Sequence, residues 1–196
     1  MKIVLATRNP GKIAELRRIL SGFDVVGLEA FPSIGEVAET GVTFEDNALL
    51  KAHAVAQGAG LPAVADDSGI CVDVLGGMPG VFSARWSGRH GDDQANLDLL
   101  LAQLSDVPAD RLTAHFACAA ALALPSGEAH VVEGRLEGRL VTPPRGANGF
   151  GYDPIFVPDG HDRTTAEMSP EEKDAISHRG RAFRALAPIV RELLTS

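Results

Sequence analysis

Ala65-Asp66-Asp67-Ser68-Gly69 is the segment of this chain whose residue types say most about chemistry. It follows a short apolar stretch, Leu61-Pro62-Ala63-Val64, that reads as a strand. Adjacent carboxylates raise each other's pKa, and a hard divalent cation relieves that conflict. The end of a strand in an α/β sheet is also where ligands usually sit. The run therefore reads as a divalent-metal site with one carboxylate available to take a proton from water. An Asx turn closed by Ser68-Gly69 explains the same residues without a ligand, so the other motifs must decide.

Thr7-Arg8-Asn9-Pro10-Gly11-Lys12 reads as strand, tight turn and helix start. Unpaired backbone N–H groups at a helix N-terminus suit phosphate, Thr7 and Asn9 add neutral donors, and Lys12 adds a point charge. An ordinary strand–helix connection has the same appearance. Glu39-Thr40-Gly41 precedes Thr43-Phe44-x-x-Asn47-Ala48-x-x-Lys51-Ala52. Glu39 is a second candidate metal ligand, and Lys51 matters if its helix packs beside Asp66 and Asp67. In Gly80-Val81-Phe82-Ser83-Ala84-Arg85-Trp86-Ser87-Gly88, Arg85 suits a phosphate or a structural carboxylate, and Trp86 a lid or a core. Gly149-Phe150-Gly151-Tyr152-Asp153-Pro154 holds the single tyrosine of an aromatic-poor chain. Its glycines allow close approach to a planar ligand and a ring can stack on a base; a β-turn with two core aromatics is the alternative. Lys173 precedes Ser177-His178-Arg179-Gly180, where two cations in a first helical turn oppose the helix dipole. A nearby anion or an electron-rich base edge would resolve that conflict.

The elements that must position these groups follow from periodicity. Residues 2–7 form a strand, 12–20 a helix with Ile13, Leu16, Ile19 and Leu20 inward, and 24–28 a second strand. Thr43 caps a helix over 44–57 that Gly58 stops, with Phe44, Ala48, Ala52 and Val55 on one face and Asn47 and Lys51 on another. Residues 63–67 enter the acidic turn as a strand and 70–75 leave it as another. A helix over 93–104, paired strands over 113–124 and 129–141, a glycine-rich loop over 146–153 and a strand over 154–157 follow. Ser169-Pro170-Glu171-Glu172 is a capping box, and Ser177 starts a last helix kinked at Pro188. The expectation is an α/β fold with a mixed sheet, and 1–196 as a single domain without repeat or linker. Neither G-x-G-x-x-G nor a P-loop is present.

With 45% hydrophobic residues the chain can bury a real core, and a formal net charge of -8 argues against a nucleic-acid surface. A small anionic substrate held by local cations remains compatible with that charge. Cys71 and Cys118 show no metal-like spacing and read as free thiols of a reducing compartment. The first residues meet Arg8-Asn9-Pro10-Gly11 too soon for a signal-peptide core, and no apolar stretch is long enough for a bilayer. A soluble, cytoplasmic protein with no membrane partner is expected.

Six segments in this order closely resemble the inosine/xanthosine triphosphate pyrophosphatases, the noncanonical purine NTP pyrophosphatase family: T-R-N-P-G-K (7–12), E-T-G-x-T-F-x-x-N-A-x-x-K-A (39–52), A-D-D-S-G (65–69), G-V-F-S-A-R-W-S-G (80–88), G-F-G-Y-D-P (149–154) and E-E-K-x-A-I-S-H-R-G (171–180). The resemblance implies a long mixed β-sheet flanked by helices, two lobes with a central substrate cleft, and a homodimer. It implies Mg²⁺-dependent cleavage of ITP, dITP or XTP to the monophosphate and pyrophosphate, which removes deaminated purines before polymerases use them. It makes Asp67 the general base, Asp67 and Glu39 metal ligands with Asp66 supporting, and Thr7, Arg8, Asn9, Pro10, Gly11 and Lys12 the phosphate turn, joined by Lys51. Ser68 becomes a substrate contact, Phe150, Gly151, Tyr152 and Asp153 the base pocket, and Lys173, His178 and Arg179 nucleotide contacts. Arg8 stands where glycine is common, Trp86 where tyrosine is common, and Ala38 where some relatives carry another acid.

On this expectation water attacks the α-phosphorus, Asp67 accepts its proton, and Lys12 and Lys51 hold the leaving pyrophosphate. Donors such as Arg179 facing the purine six-carbonyl would be left unpaired against adenine. The alternatives are a pyrophosphatase for pyrimidine or modified nucleotides and a nucleotide-binding regulatory protein with little turnover.

Overall fold

The alternation of side chains along buried strands sets the layers of this protein. The computed structural model describes residues 2–195; Met1 and Ser196, the ends of the single-domain reading, lie outside the described residues. In chain order the regular elements are β1 (Lys2–Leu5), α1 (Pro10–Ile19), β2 (Asp24–Gly27), α2 (Phe44–Ala59), β3 (Ala63–Val72), β4 (Met78–Pro79), α3 (Asp93–Gln103), β5 (Thr113–Ala123), β6 (Ala129–Leu140), β7 (Phe156–Pro158), α4 (Pro170–Ile176) and α5 (His178–Thr195). The strands are hydrogen-bonded in the order β2-β1-β3-β5-β6-β7, with β4 beside β3. β1 is parallel to both β2 and β3, whereas β3–β4 and β6–β7 are antiparallel. The mixed α/β sheet expected from the sequence is what forms.

By its contacts the chain divides into two compact units, one of Met1–Asp67, Cys118–Gly134 and His178–Ser196, the other of Ser68–Ala117 and Arg135–Ser177. In the first, Val4, Ala63, Ala65, Ala119 and Ala121 pack against Ala48, Ala52, Val55 and Ala56 of α2. The opposite sheet face, Ile3, Leu5, Val64, Cys118, Ala120 and Leu122, packs against Leu16 and Leu20 of α1 and Phe183, Leu186 and Val190 of α5. The alanine-rich side lets α2 lie close to the sheet, where each lost methylene of packing is felt. In the second unit, Ile70, Val72, Ala114, Phe116 and Leu136 pack against Leu97, Leu100 and Leu104, and Phe116 meets Phe156 edge-on with centroids 4.7 Å apart.

Three expectations change. No turn interrupts Ala65–Gly69: β3 runs straight through both aspartates. α1 begins at Pro10 rather than at residue 12, because Asn9 is its cap and accepts from the Lys12 N–H at 3.1 Å. α2 ends at Gly60, which takes φ 64° as its C-cap, rather than at Gly58. Pro188 does lie inside α5. Among the described residues no helix is long and apolar enough to cross a membrane.

Candidate active site

Successive residues of a strand point to opposite faces, and that rule separates the two aspartates. Asp66 shares its face with Val64, towards α1 and α5; Asp67 shares its face with Ala65, towards α2. Each carboxylate therefore has its own set of partners.

Asp66 is 1% exposed, and its Oδ2 receives Lys12 Nζ at 2.9 Å and Arg179 Nε at 3.1 Å. Arg179, also buried, pairs through Nη1 with the buried Glu15 of α1. Burial opposes ionisation of Asp66, yet Lys12 and Arg179 outweigh it and hold its pKa far below the usual carboxylate range. Asp66 and Glu15 are the anions that resolve the unfavourable placement of Arg179 in the first turn of α5. Asp66 is thus the counter-ion of Lys12 and Arg179, and the Arg179 guanidinium lies against the carboxylates of Asp66 and Glu15.

Asp67 lies in a different environment. Its Oδ2 accepts from Asn47 Nδ2 at 3.0 Å, and its Oδ1 lies 3.5 Å from Lys51 Nζ. Lys51 also reaches Glu39 Oε1 at 2.7 Å. The condition set by the sequence, that the Lys51 helix pack beside the acidic segment, is met. Burial raises the pKa of Asp67 above an ordinary aspartate's, against the pull of Lys51, Lys12 and the Asn47 hydrogen bond. Burial alone would lower Lys51, but Asp67, Asp66 and Glu39 reverse this and keep the ammonium charged.

Glu39 and Asp67 thus converge on one cation. Among the described residues, no three His, Cys, Asp or Glu side chains gather as a complete protein cage for a metal. Two carboxylates suffice for a hard ion that keeps waters and takes substrate phosphates as its remaining ligands, as Mg²⁺ does. The donor chemistry of Glu39 and Asp67 fits such an ion.

The turn at residues 7–12 is built as a helix start. Pro10 occupies the first helical position, Thr7 Oγ1 accepts from the Asn9 N–H at 3.2 Å, and Arg8 donates to the Ile34 carbonyl at 2.7 Å. Arg8, Asn9 and Pro10 are exposed, and Gly11 and Lys12 half-buried.

In the second unit, Asp153 is a buried hub. It accepts from Lys173 Nζ at 2.6 Å, from Thr165 Oγ1 at 2.8 Å and from the Phe150 N–H at 2.9 Å. Lys173 Nζ also lies 5.0 Å from the Phe150 ring centroid, a cation–π contact. Gly151 donates its N–H to Asp93 at 2.9 Å. Tyr152 is buried in the second core and its hydroxyl donates to the Ser83 carbonyl at 2.9 Å, and Phe150 is the half-buried aromatic of the loop. Ser68 is half-buried and His178 buried. Arg85 lies 5.3 Å over the Phe82 ring, and the half-buried Trp86 donates to Gln103 at 2.8 Å while packing against the second core.

Sequence reasoning passed over Glu15 and Thr165, and placed Asn47 on the Lys51 face of its helix without giving it a role. Glu15 follows Lys12 by three residues, a helical spacing that signals a shared face; Asn47 precedes Lys51 by four. Their partners lie in other elements, which no local pattern reveals.

A model of the Ham1 family matches residues 3–189, and the chain belongs to that family. It is 68% identical over 197 residues to the dITP/XTP pyrophosphatase of Streptomyces avermitilis, covering 98% of each chain. It is similar to the crystal structure of a nucleoside-triphosphatase, dITP/XTP pyrophosphatase, from Mycobacterium abscessus, at 61% identity and TM-score 0.78 over 96% of this chain and 100% of that one. It is also similar to the Staphylococcus aureus Ham1 protein, at 38% identity and TM-score 0.87 over 98% and 99%.

Proposed function

We propose that this protein is a nucleoside-triphosphate pyrophosphatase that cleaves ITP, dITP and XTP between the α- and β-phosphates, clearing deaminated purines from the nucleotide pool. The observation that carries the reading is the convergence of Glu39 and Asp67 on Lys51 in the unit that also holds the phosphate turn. Near-full-length similarity to proteins named dITP/XTP pyrophosphatase supports the substrate class.

Glu39 and Asp67 would hold Mg²⁺, which when bound offsets phosphate charge and acidifies water. Asp67 takes the proton of the attacking water, its carboxylate held in place by Asn47 and Lys51. The N–H groups opening α1, with Lys12 and Lys51, take the charge that accumulates on the departing pyrophosphate. Glu39, Asp67, Lys51 and Lys12 do this by position, since phosphoryl transfer asks for little covalent help. In the second unit Phe150 is assigned to stack on the base, and the paired Asp153 and Lys173 to form the wall of the base pocket beside it. His178 and Ser68 are retained as substrate contacts, and Arg179 as the residue that fixes Asp66. A cytoplasmic homodimer is part of the same proposal.

Loss of the Lys173 ammonium removes a charge-assisted hydrogen bond, so Lys173→Met is expected to lower kcat/KM for dITP about 10–100-fold. An unchanged preference for dITP over dATP in that variant would remove Lys173 from base recognition. The decisive assay offers ITP, dITP, XTP, GTP, ATP, UTP and dTTP with Mg²⁺, adding inorganic pyrophosphatase to half the samples. Monophosphate and pyrophosphate from ITP and XTP, with ATP and GTP spared, is the expected result. Direct orthophosphate release, or activity confined to UTP and dTTP, would overturn the substrate assignment; tight ITP binding without turnover would make the protein a binder.

A further inference from the structure

Asn47 is fully buried on α2, and both ends of its amide are in use. Nδ2 donates to Asp67 Oδ2 at 3.0 Å, and Oδ1 accepts from the Gly41 N–H at 2.8 Å. The orientation of the amide is forced, because a carboxylate accepts and a backbone N–H donates. Lys51, one turn further along α2, joins the same two segments: Glu39 on the loop and Asp67 on β3. The loop carrying Glu39 and the strand carrying Asp67 are therefore tied to one helix twice, once by an ammonium and once by an amide.

The two ties are not equivalent. Lys51 has a long flexible stem and a charge for which a bound polyphosphate would compete with the carboxylates. The Asn47 side chain is short, neutral and fully enclosed, so its hydrogen bonds persist when Lys51 changes partners. The fit is close on the loop side as well. A Cβ added at Gly41 would lie 2.8 Å from Asn47 Oδ1 and also meet the Asp46 Cβ, so this approach of the loop to α2 needs a glycine.

We propose that Asn47 is the positioning residue that holds Glu39 and Asp67 at the spacing a divalent cation requires while Lys51 is engaged by phosphate. The inference rests on the proposed role of those carboxylates. It predicts that the Asn47 amide sets the metal requirement and the turnover, with little effect on nucleotide affinity.

The test is Asn47→Leu, similar in size and without either hydrogen bond, with Gly41→Ala as a second variant that perturbs the same tie from the loop side. Mn²⁺ binding to nucleotide-free protein is followed by electron paramagnetic resonance, and the Mg²⁺ dependence of dITP hydrolysis by steady-state kinetics, with melting temperature as a control. Asn47→Leu is expected to weaken Mn²⁺ binding and raise the half-saturating Mg²⁺ about 10-fold or more. kcat should fall while KM for dITP at saturating Mg²⁺ stays within about 2-fold. Gly41→Ala should move the same quantities in the same direction, and stands in if Asn47→Leu does not fold. Unchanged Mn²⁺ affinity and Mg²⁺ requirement in a folded variant, beside a wild type that needs the metal, would overturn the inference alone. A wild type that neither binds Mn²⁺ nor needs Mg²⁺ would overturn the carboxylate reading and this inference with it.

Discussion

Asp67→Asn is expected to retain dITP binding and to lose about 10²–10⁴ in kcat, the usual contribution of a positioned general base. Asparagine keeps the shape of the side chain and can still accept from Asn47, but its amide cannot take a proton from water. The carboxylate it replaces is 6% exposed and oriented from two sides by Asn47 and Lys51. The same substitution should leave the fold intact. Burial raises the Asp67 pKa, so ionising this carboxylate costs the folded state more than the unfolded one. The sign follows: with the folded pKa above the unfolded one, this group's contribution to stability is present below the unfolded pKa and is lost as pH rises through the folded value. A neutral amide at position 67 escapes that loss but takes one anion from Lys51, which keeps Glu39 at 2.7 Å, so the melting temperature at pH 7 should change little. Calorimetric titration with dITP and steady-state kinetics separate the two effects. Turnover within about 10-fold of the wild type would remove Asp67 as the base.

The adjacent aspartates also show where local sequence stops being informative. The strand over 63–67, the cap at Thr43 and the alanine stripe of α2 are legible because periodicity and capping act within a few residues. The Lys51–Asp67 proximity was legible only as a condition on packing, and the structure meets it. The turn expected at Ala65–Gly69 was not realised, because what makes a buried Asp-Asp pair tolerable in mid-strand lies far away: Lys12 on α1 and Arg179 on α5, the latter 113 residues from Asp66. Without those partners in view, a turn is the reasonable reading of D-D-S-G. Asn9 shows the same limit on a smaller scale, since its oxygen caps α1, which its reading as a donor did not include. Tyr152 and Phe150 are two residues apart in one glycine-rich loop, yet one joins the core and the other stays half-buried; the choice is made by the Ser83 carbonyl, which belongs to a different segment.

Asp66→Asn should give the opposite result to its neighbour: a large loss of stability. Asp66 is fully enclosed between Lys12 and Arg179, and its carboxylate offsets two positive charges, one of which, on Arg179, is 2% exposed. Removing one partner of a buried ion pair typically costs about 3–5 kcal/mol, because the remaining charge is left uncompensated. For a chain of this length that corresponds to a melting temperature lower by on the order of 10 °C. Glu15 retains one contact to Arg179, so the arginine is not stripped of every anion, and a value at the lower end of that range is the more natural outcome. The pH dependence provides an independent check. The folded pKa of Asp66 is depressed, so its contribution is present above the unfolded value of about 3.9 and is lost as pH falls towards the folded value. The stability gap between wild type and Asp66→Asn should therefore hold steady from neutral pH to mildly acid solution and narrow below about pH 4. Urea denaturation of both proteins across that range measures it. A gap under about 1 kcal/mol at pH 7 would mean that Lys12 and Arg179 are well solvated without Asp66, and the ion pairs would then be surface-like in energy despite their burial. A gap that appears only in acid would have the wrong sign for a depressed carboxylate and would place the destabilisation elsewhere. Two neighbouring aspartates, given the same substitution, are thus expected to separate turnover from stability, because a strand directs one towards α2 and the other towards α1 and α5.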